Sequence, residues 1–185
     1  MTTGATEGRA GAVDLPPLRM GQGIDVHRFS RDPSRPLVLG GVVITGDGTC
    51  GLEGHSDADV VAHAVADAVL GAAGLGDLGR HAPDDDPAWR GADSIDLLTR
   101  MVALAREAGW APVNADCTVV AERPRLASFV GAMADRLTGA LGAPANVKAT
   151  RAEGLGALGR AEGIGCTAVV LMTRRPRGGQ SGGTR

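Results

Sequence analysis

The segment Gly21-Gln22-Gly23-Ile24-Asp25-Val26-His27 sets the strongest constraint on this chain. It reads as a β-strand, and residues two apart on a strand project from the same face. Asp25 and His27 therefore share a face and can grip one object together. A divalent metal such as Zn²⁺ suits them, because it accepts both carboxylate oxygen and imidazole nitrogen. A second polar cluster, His55-Ser56-Asp57-Ala58-Asp59 with His63 close behind, can supply a third ligand. Three protein ligands leave one position open for chemistry.

The 185 residues are most simply one domain with a real core. A net charge of −2 gives no electrostatic reason to expect nucleic acid or an anionic membrane as partner. Tyr is absent and aromatic residues are few, so stacking platforms for single-stranded nucleic acid are lacking. No apolar run approaches the ~18–20 residues of a transmembrane helix. Residues 1–18 have no apolar core or cleavage signature and read as a disordered extension. A single catalytic domain is expected over 19–173, and the Gly- and Arg-rich 174–185 as a disordered tail. Cys50, Cys117 and Cys166 are odd in number, scattered, and without Cys-x-x-Cys spacing. They argue against a disulfide scaffold or a cysteine zinc site, and for a reducing, cytoplasmic setting.

Strands are expected at Leu18–Phe29 and Pro36–Ile44, the second broken by Gly40-Gly41. Val61, Val65, Val69 and Ala72 recur at helical spacing and predict a helix over Ala58–Ala73, capped by Ser56 or Asp57. A long polar loop follows from Gly74 to Gly91, of a kind often functional. Asp93-Ser94 opens a second helix that closes at Gly109. Val113–Ala121 alternates as a strand, and Pro124 suits the first turn of a third helix ending near Gly142. Asn146–Thr150 and Gly165–Thr173 complete the strands. The expected fold class is α/β in the layered α+β sense, a mixed β-sheet with helices packed on one face.

Several polar groups admit two readings. His63 falls within the first helix with Asp59 and Asp67 one turn to either side, and either carboxylate can orient its imidazole. His55-Ser56-Asp57 can hold a phosphate near the helix N-terminus or simply cap it. Asp84-Asp85-Asp86 reads first as a solvated turn. Gly154-x-Gly156-x-x-Gly159 has the spacing of a dinucleotide fingerprint but no preceding βαβ context.

Further segments extend the pattern: Leu39-Gly40-Gly41, Ala66-Asp67-Ala68-x-Leu70-Gly71-Ala72-Ala73, Leu75-Gly76-Asp77-Leu78-Gly79, and Pro83-Asp84-x-Asp86-Pro87 with Gly91-Ala92-Asp93-Ser94. Later come Glu122-Arg123-Pro124-Arg125, Asn146-Val147-Lys148-Ala149-Thr150 and Gly159-Arg160-x-Glu162-Gly163-Ile164. In this order, over about residues 19–173, the chain resembles the 2-C-methyl-D-erythritol 2,4-cyclodiphosphate synthase family of the non-mevalonate isoprenoid pathway. The resemblance implies a lyase that closes a cyclic diphosphate from 4-diphosphocytidyl-2-C-methyl-D-erythritol 2-phosphate and releases CMP. It implies a homotrimer with its sheets toward the axis and its active sites at subunit interfaces.

Residue by residue, the resemblance implies Asp25, His27 and His63 as ligands of one Zn²⁺ per subunit, with a substrate phosphate in the fourth position. Glu153 matches a carboxylate that meets a second cation, Mg²⁺ or Mn²⁺, through the substrate diphosphate. His55 and Ser56 would lie over the 2-phosphate, while Asp84 and the stretch Asp77, Leu78 and Gly79 would meet the erythritol hydroxyls. The cytidine end would lie on the neighbouring subunit near Ala121, Arg125, Leu126, Ala149 and Thr150. Arg160 and Glu162 match positions near the trimer axis, where the resemblance implies a non-catalytic anion or isoprenoid diphosphate; an inter-subunit salt bridge is the other reading of the pair.

Three departures stand out. Arg151 replaces a second hydroxyl after Thr150, where a guanidinium can meet a phosphate bidentately but is bulkier. Ala82 stands where an aromatic is usual, and Ala157 and Ala161 depart from the motif around Arg160. They leave a second reading open, in which the chain is a catalytically weak, zinc-bound trimer that binds a ligand or partner.

Overall fold

The computed structural model describes residues 16–46, 50–83, 89 and 91–174. Four strands form a mixed sheet in the order β1-β6-β4-β5. These are β1 (Leu18–Arg28), β4 (Trp110–Val120), β5 (Ala145–Thr150) and β6 (Gly163–Arg174). β6 runs antiparallel to both β1 and β4, and β4 and β5 are parallel. A short hairpin of β2 (Leu37–Leu39) and β3 (Val42–Ile44) turns at Gly40-Gly41, so the expected break in the second strand is a true reversal. The sheet takes in Leu18 and Arg174, one residue beyond the expected domain limits at either end.

Three longer helices cover one face: α1 (Val60–Ala73), α3 (Ser94–Glu107) and α4 (Val130–Leu141). α1 packs on β1 and β6, α3 against α1, α4 and β4, and α4 on β5. The expected layering, a mixed sheet with helices on one face, holds in the single chain. α1 is buried nearly all round, as befits a helix enclosed by sheet and neighbours; only His63, Asp67 and Gly71, four residues apart, escape full burial. Its close seating depends on Gly21 and Gly23. A Cβ at either would lie 1.9 Å from the carbonyl oxygen of Ala68 or Ala64 respectively, so only glycine lets strand and helix backbones meet there.

Several local expectations are corrected. The α1 N-cap is Asp59, whose carboxylate accepts from Val61 N (3.0 Å) and Ala62 N (3.1 Å), not Ser56 or Asp57. Asp59 is chosen because Gly40 N (2.8 Å) and Gly41 N (2.6 Å) also donate to it, tying the β2–β3 turn to the helix. Pro124 does not open α4, which starts at Val130; the intervening residues turn to bury Leu126, whose carbonyl accepts from Phe129 N. The polar loop after Gly74 contains a four-residue helix, α2 (Leu78–His81), and the loop after Thr150 contains α5 (Gly156–Gly159). The Gly154-x-Gly156-x-x-Gly159 spacing serves this tight loop: a Cβ on Gly159 would strike the Gly154 backbone at 2.2 Å. The acidic run 84–86, Asp84 included, lies outside the described residues, as do 1–15 and 175–185.

Odd-numbered β1 residues face the helices; even-numbered ones face away. On that open face Met20 is 74% exposed, Ile24 67% and Val26 57%. Among the described residues no helix is long and apolar enough to cross a membrane.

Candidate active site

β1 and α1 together assemble the three candidate metal ligands. The strand alternation that buries Gly21 and Gly23 carries Asp25 and His27 to the same helix-facing side. The close seating of α1 brings His63 across from them. His27 Nε2 lies 3.2 Å and His63 Nδ1 3.1 Å from the same oxygen, Asp25 Oδ2. One ligand atom from each residue falls within 4.8 Å of the others. The two imidazoles meet edge-on, with ring centroids 5.9 Å apart.

The donor set fits a tetrahedral zinc-like ion, two imidazole nitrogens and one carboxylate oxygen converging with a fourth side open. His27 Nδ1–H donates to the Glu53 carbonyl at 2.6 Å, which leaves Nε2 with its lone pair toward the convergence point. Burial pushes the Asp25 carboxyl up, but hydrogen bonds and charge from His27 and His63 outweigh it and hold the group well below the usual carboxylate range. Asp25 is therefore the anion the site needs.

The triad opens into a cavity of about 280 Å³ that is also lined by His55, Ser56, Leu78 and Gly79. Asp67, Ala82, Trp89 and Leu97 complete much of its wall. His55 lines the cavity without joining the triad. Neither Asp59 nor Asp67 orients His63. Asp59 is spent on the helix cap, and Asp67 accepts from Leu78 N at 2.7 Å, fixing the start of α2. The partner of His63 Nε2 is instead Ser94 Oγ at 2.9 Å, with Ser56 Oγ at 3.2 Å. Sequence reasoning read Asp93-Ser94 as a helix start and as part of the family pattern, and gave Ser94 no role beside His63. It also missed Trp89, and the Glu53 carbonyl carries no side-chain signal at all. Asp77 caps α2 through Arg80 N (3.0 Å).

A second cavity of about 400 Å³ lies beyond the other edge of the sheet, lined by Ala121, Arg125, Leu126, Ala149, Thr150 and Arg151 among others. It shares no lining residue with the first. Arg151 Nε donates to Glu122 Oε1 at 3.0 Å, with Nη2 close to the same oxygen. Hydrogen bonding and charge from Arg151 lower the Glu122 carboxyl. Glu153 lines neither cavity; it is exposed, in a left-handed conformation with φ of 50°. Arg160 also lies outside both and pairs within its own chain with Glu162, Nε to Oε1 at 2.6 Å.

Comparisons agree on kinship. The model of the YgbB family matches residues 18–173. A 2-C-methyl-D-erythritol 2,4-cyclodiphosphate synthase of Bordetella petrii is 56% identical over 161 residues, covering 85% of this chain and 97% of that protein. Among solved structures, the bifunctional IspDF of Campylobacter jejuni superposes with a TM-score of 0.81 at 41% identity, over 86% of this chain and 43% of the larger one. IspF of Plasmodium falciparum in complex with CDP gives a TM-score of 0.73 at 27% identity, over 88% of this chain and all of that one (100%). The matched region takes in both cavities and the triad, and the chain accordingly belongs to the YgbB family, the family of the 2-C-methyl-D-erythritol 2,4-cyclodiphosphate synthases.

Proposed function

We propose that this chain converts 4-diphosphocytidyl-2-C-methyl-D-erythritol 2-phosphate to 2-C-methyl-D-erythritol 2,4-cyclodiphosphate and CMP. The observation that carries the reading is the Asp25–His27–His63 triad, with its open side toward a cavity walled by His55 and Ser56. A 2-phosphate oxygen attacks the β-phosphorus of the diphosphate; the bond from that phosphorus to the bridging oxygen breaks, and CMP leaves with the electron pair. The substrate supplies its own nucleophile, so the protein's task is positioning and charge neutralisation.

Asp25, His27 and His63 would hold Zn²⁺, which when bound would supply Lewis acidity toward the substrate phosphates. His55 and Ser56 offer an imidazole and a hydroxyl to the 2-phosphate, and the backbone from Asp77 to Gly79, with Asp84, receives the erythritol hydroxyls. Ala121, Arg125, Leu126, Ala149 and Thr150 enclose the cytidine end. Arg151, a guanidinium on the rim of that pocket, meets the diphosphate. Glu153 offers a hard carboxylate oxygen to Mg²⁺ or Mn²⁺, cations that keep several waters and bind through substrate phosphates. Arg160 belongs to an anion site on the trimer axis.

Two observations support a homotrimer with shared sites. One chain keeps its metal-ligand cavity and its nucleotide-sized cavity apart, and the open face of its sheet displays Met20, Ile24 and Val26 to solvent, an apolar patch of the kind that marks an interface. The reaction is assigned to the cytoplasm.

The test is to incubate the zinc-loaded protein with Mg²⁺ and this substrate and follow ³¹P NMR. A cyclic diphosphate with stoichiometric CMP is expected. Intact substrate, from a protein shown to be trimeric and to hold zinc, overturns the catalytic reading in favour of a ligand-binding trimer.

A further inference from the structure

We infer that Ser94, itself held by Asp57, is the positioning residue that fixes the ring orientation and tautomer of His63 for metal binding. The inference rests on the reading of Asp25, His27 and His63 as a metal site.

His63 approaches the convergence point through Nδ1, which lies 3.1 Å from Asp25 Oδ2. Ligation through Nδ1 needs the lone pair on that nitrogen, so a neutral ring must carry its proton on Nε2. Nε2 faces Ser94 Oγ at 2.9 Å. The Ser94 hydroxyl is committed in the opposite direction, because it donates to Asp57 Oδ1. The same carboxylate accepts from Ser94 N through Oδ2 at 3.1 Å. With its only proton given to Asp57, Ser94 Oγ can act toward His63 only as an acceptor. The order is therefore His63 Nε2–H to Ser94 Oγ–H to Asp57 carboxylate, and it runs one way.

Ser56 Oγ is a poorer candidate for this role. It lies at 3.2 Å from Nε2 and already accepts from Ala58 N at 3.1 Å, on a residue that lines the cavity. Ser94 is 1% exposed and sits at the first position of α3, where Asp93 caps the helix. It is thus a rigid group from an element that contributes no ligand. The two histidines are oriented by different means: a backbone carbonyl serves His27, and a hydroxyl–carboxylate pair serves His63. Only the second can be removed by changing a side chain.

The test is metal affinity, measured for wild type, Ser94→Ala and Asp57→Ala by competition of Zn²⁺ with a chromophoric chelator, with His63→Ala as reference. Loss of such a partner weakens a metal site roughly 10–100-fold, and that range is expected for Ser94→Ala. Asp57→Ala is expected to weaken binding in the same direction. With the carboxylate gone, the Ser94 hydroxyl loses its acceptor and is free to turn and donate to Nε2, which favours the tautomer that cannot ligate through Nδ1. In ¹⁵N spectra of the zinc-loaded protein, the His63 Nε2–H should be protected from exchange in wild type and lose that protection in Ser94→Ala. Thermal unfolding of the metal-free variants separates misfolding from weakened binding; should Ser94→Ala fail to fold, Asp57→Ala decides alone. A wild type whose zinc depends on His63, with both variants unchanged in affinity and exchange, overturns the role of Ser94. A wild type that holds no zinc overturns the metal site, and this inference with it.

Discussion

Asp59 is fully buried, yet four backbone N–H groups from two different elements converge on its carboxylate. Burial pushes its carboxyl up, and the N–H groups of Gly41, Ala62 and Gly40 oppose that. Removing the acceptor strands donors that water cannot reach, which costs far more than an exposed cap. Asp59→Ala should lose about 3 kcal/mol of stability in urea unfolding, from the cap and the orphaned donors together. A loss below about 1 kcal/mol would mean that the β2–β3 turn relaxes away from α1. Arg151 is the opposite kind of residue, with its side chain 62% exposed on the rim of the second cavity and pinned by Glu122. Its charge is screened, so its effect on ligand is modest and depends on salt. Arg151→Thr should weaken CDP binding roughly 3–10-fold at low salt, and the difference should shrink in a calorimetric titration at high salt. Stronger binding in the variant would show that the guanidinium obstructs the pocket.

β1 and α1 form the element pair on which the metal site depends, and their spacing is set by what glycine lacks. Gly23→Ala would put a methyl group 1.9 Å from the Ala64 carbonyl, beside His63. Strand and helix must then separate, so the variant should lose roughly 1–3 kcal/mol and bind zinc more weakly than wild type in the same chelator competition. Gly71 is the control. It lies in the same helix, exposed, and an added Cβ meets nothing nearer than the Gln22 carbonyl at 4.0 Å. Gly71→Ala should therefore gain about 0.5–1 kcal/mol from reduced backbone freedom alone, with zinc affinity unchanged. This pair also shows what the sequence makes legible. Alternation in β1 placed Asp25 and His27 on one side, and the 3.6-residue period of α1 placed His63 on a helix, because both signals are local. Choosing the α1 cap was beyond local reasoning, since Gly40 and Gly41 select Asp59 from 18–19 residues away. Ser94 escaped for the same reason, meeting His63 across 31 residues. The four-residue α2 and α5 are too short to show a period. Roles taken from family resemblance, such as those of Glu153 and Arg160, fall on residues that line neither of the two cavities described, so local geometry could not have suggested them.

In the whole molecule, two cavities that share no lining residue occupy one chain. The metal-ligand cavity opens between β1 and α1, while the nucleotide-sized cavity lies around β5 and the start of α4. The proposed substrate, which joins a cytidine diphosphate to an erythritol phosphate, would have to reach both at once. The proposed trimer would allow this, because a head-to-tail interface under cyclic three-fold symmetry can join one subunit's first cavity to its neighbour's second and closes after three copies. The open sheet face, with Met20, Ile24 and Val26 exposed, is the apolar surface that such a closure would cover. Sharing makes a prediction that no monomeric arrangement can satisfy. His63→Ala removes a metal ligand, and Leu126→Glu places a charge in the nucleotide pocket; each variant alone should be inactive. Co-expressed in equal amounts, they mix randomly into trimers. An interface works when its metal half comes from the Leu126→Glu chain and its nucleotide half from the His63→Ala chain, which happens at about one interface in four. The mixture should recover roughly a quarter of wild-type turnover per site, and only when the chains assemble together rather than after purification apart. No recovery in trimers shown by mass spectrometry to be mixed would place both halves of the site on one subunit.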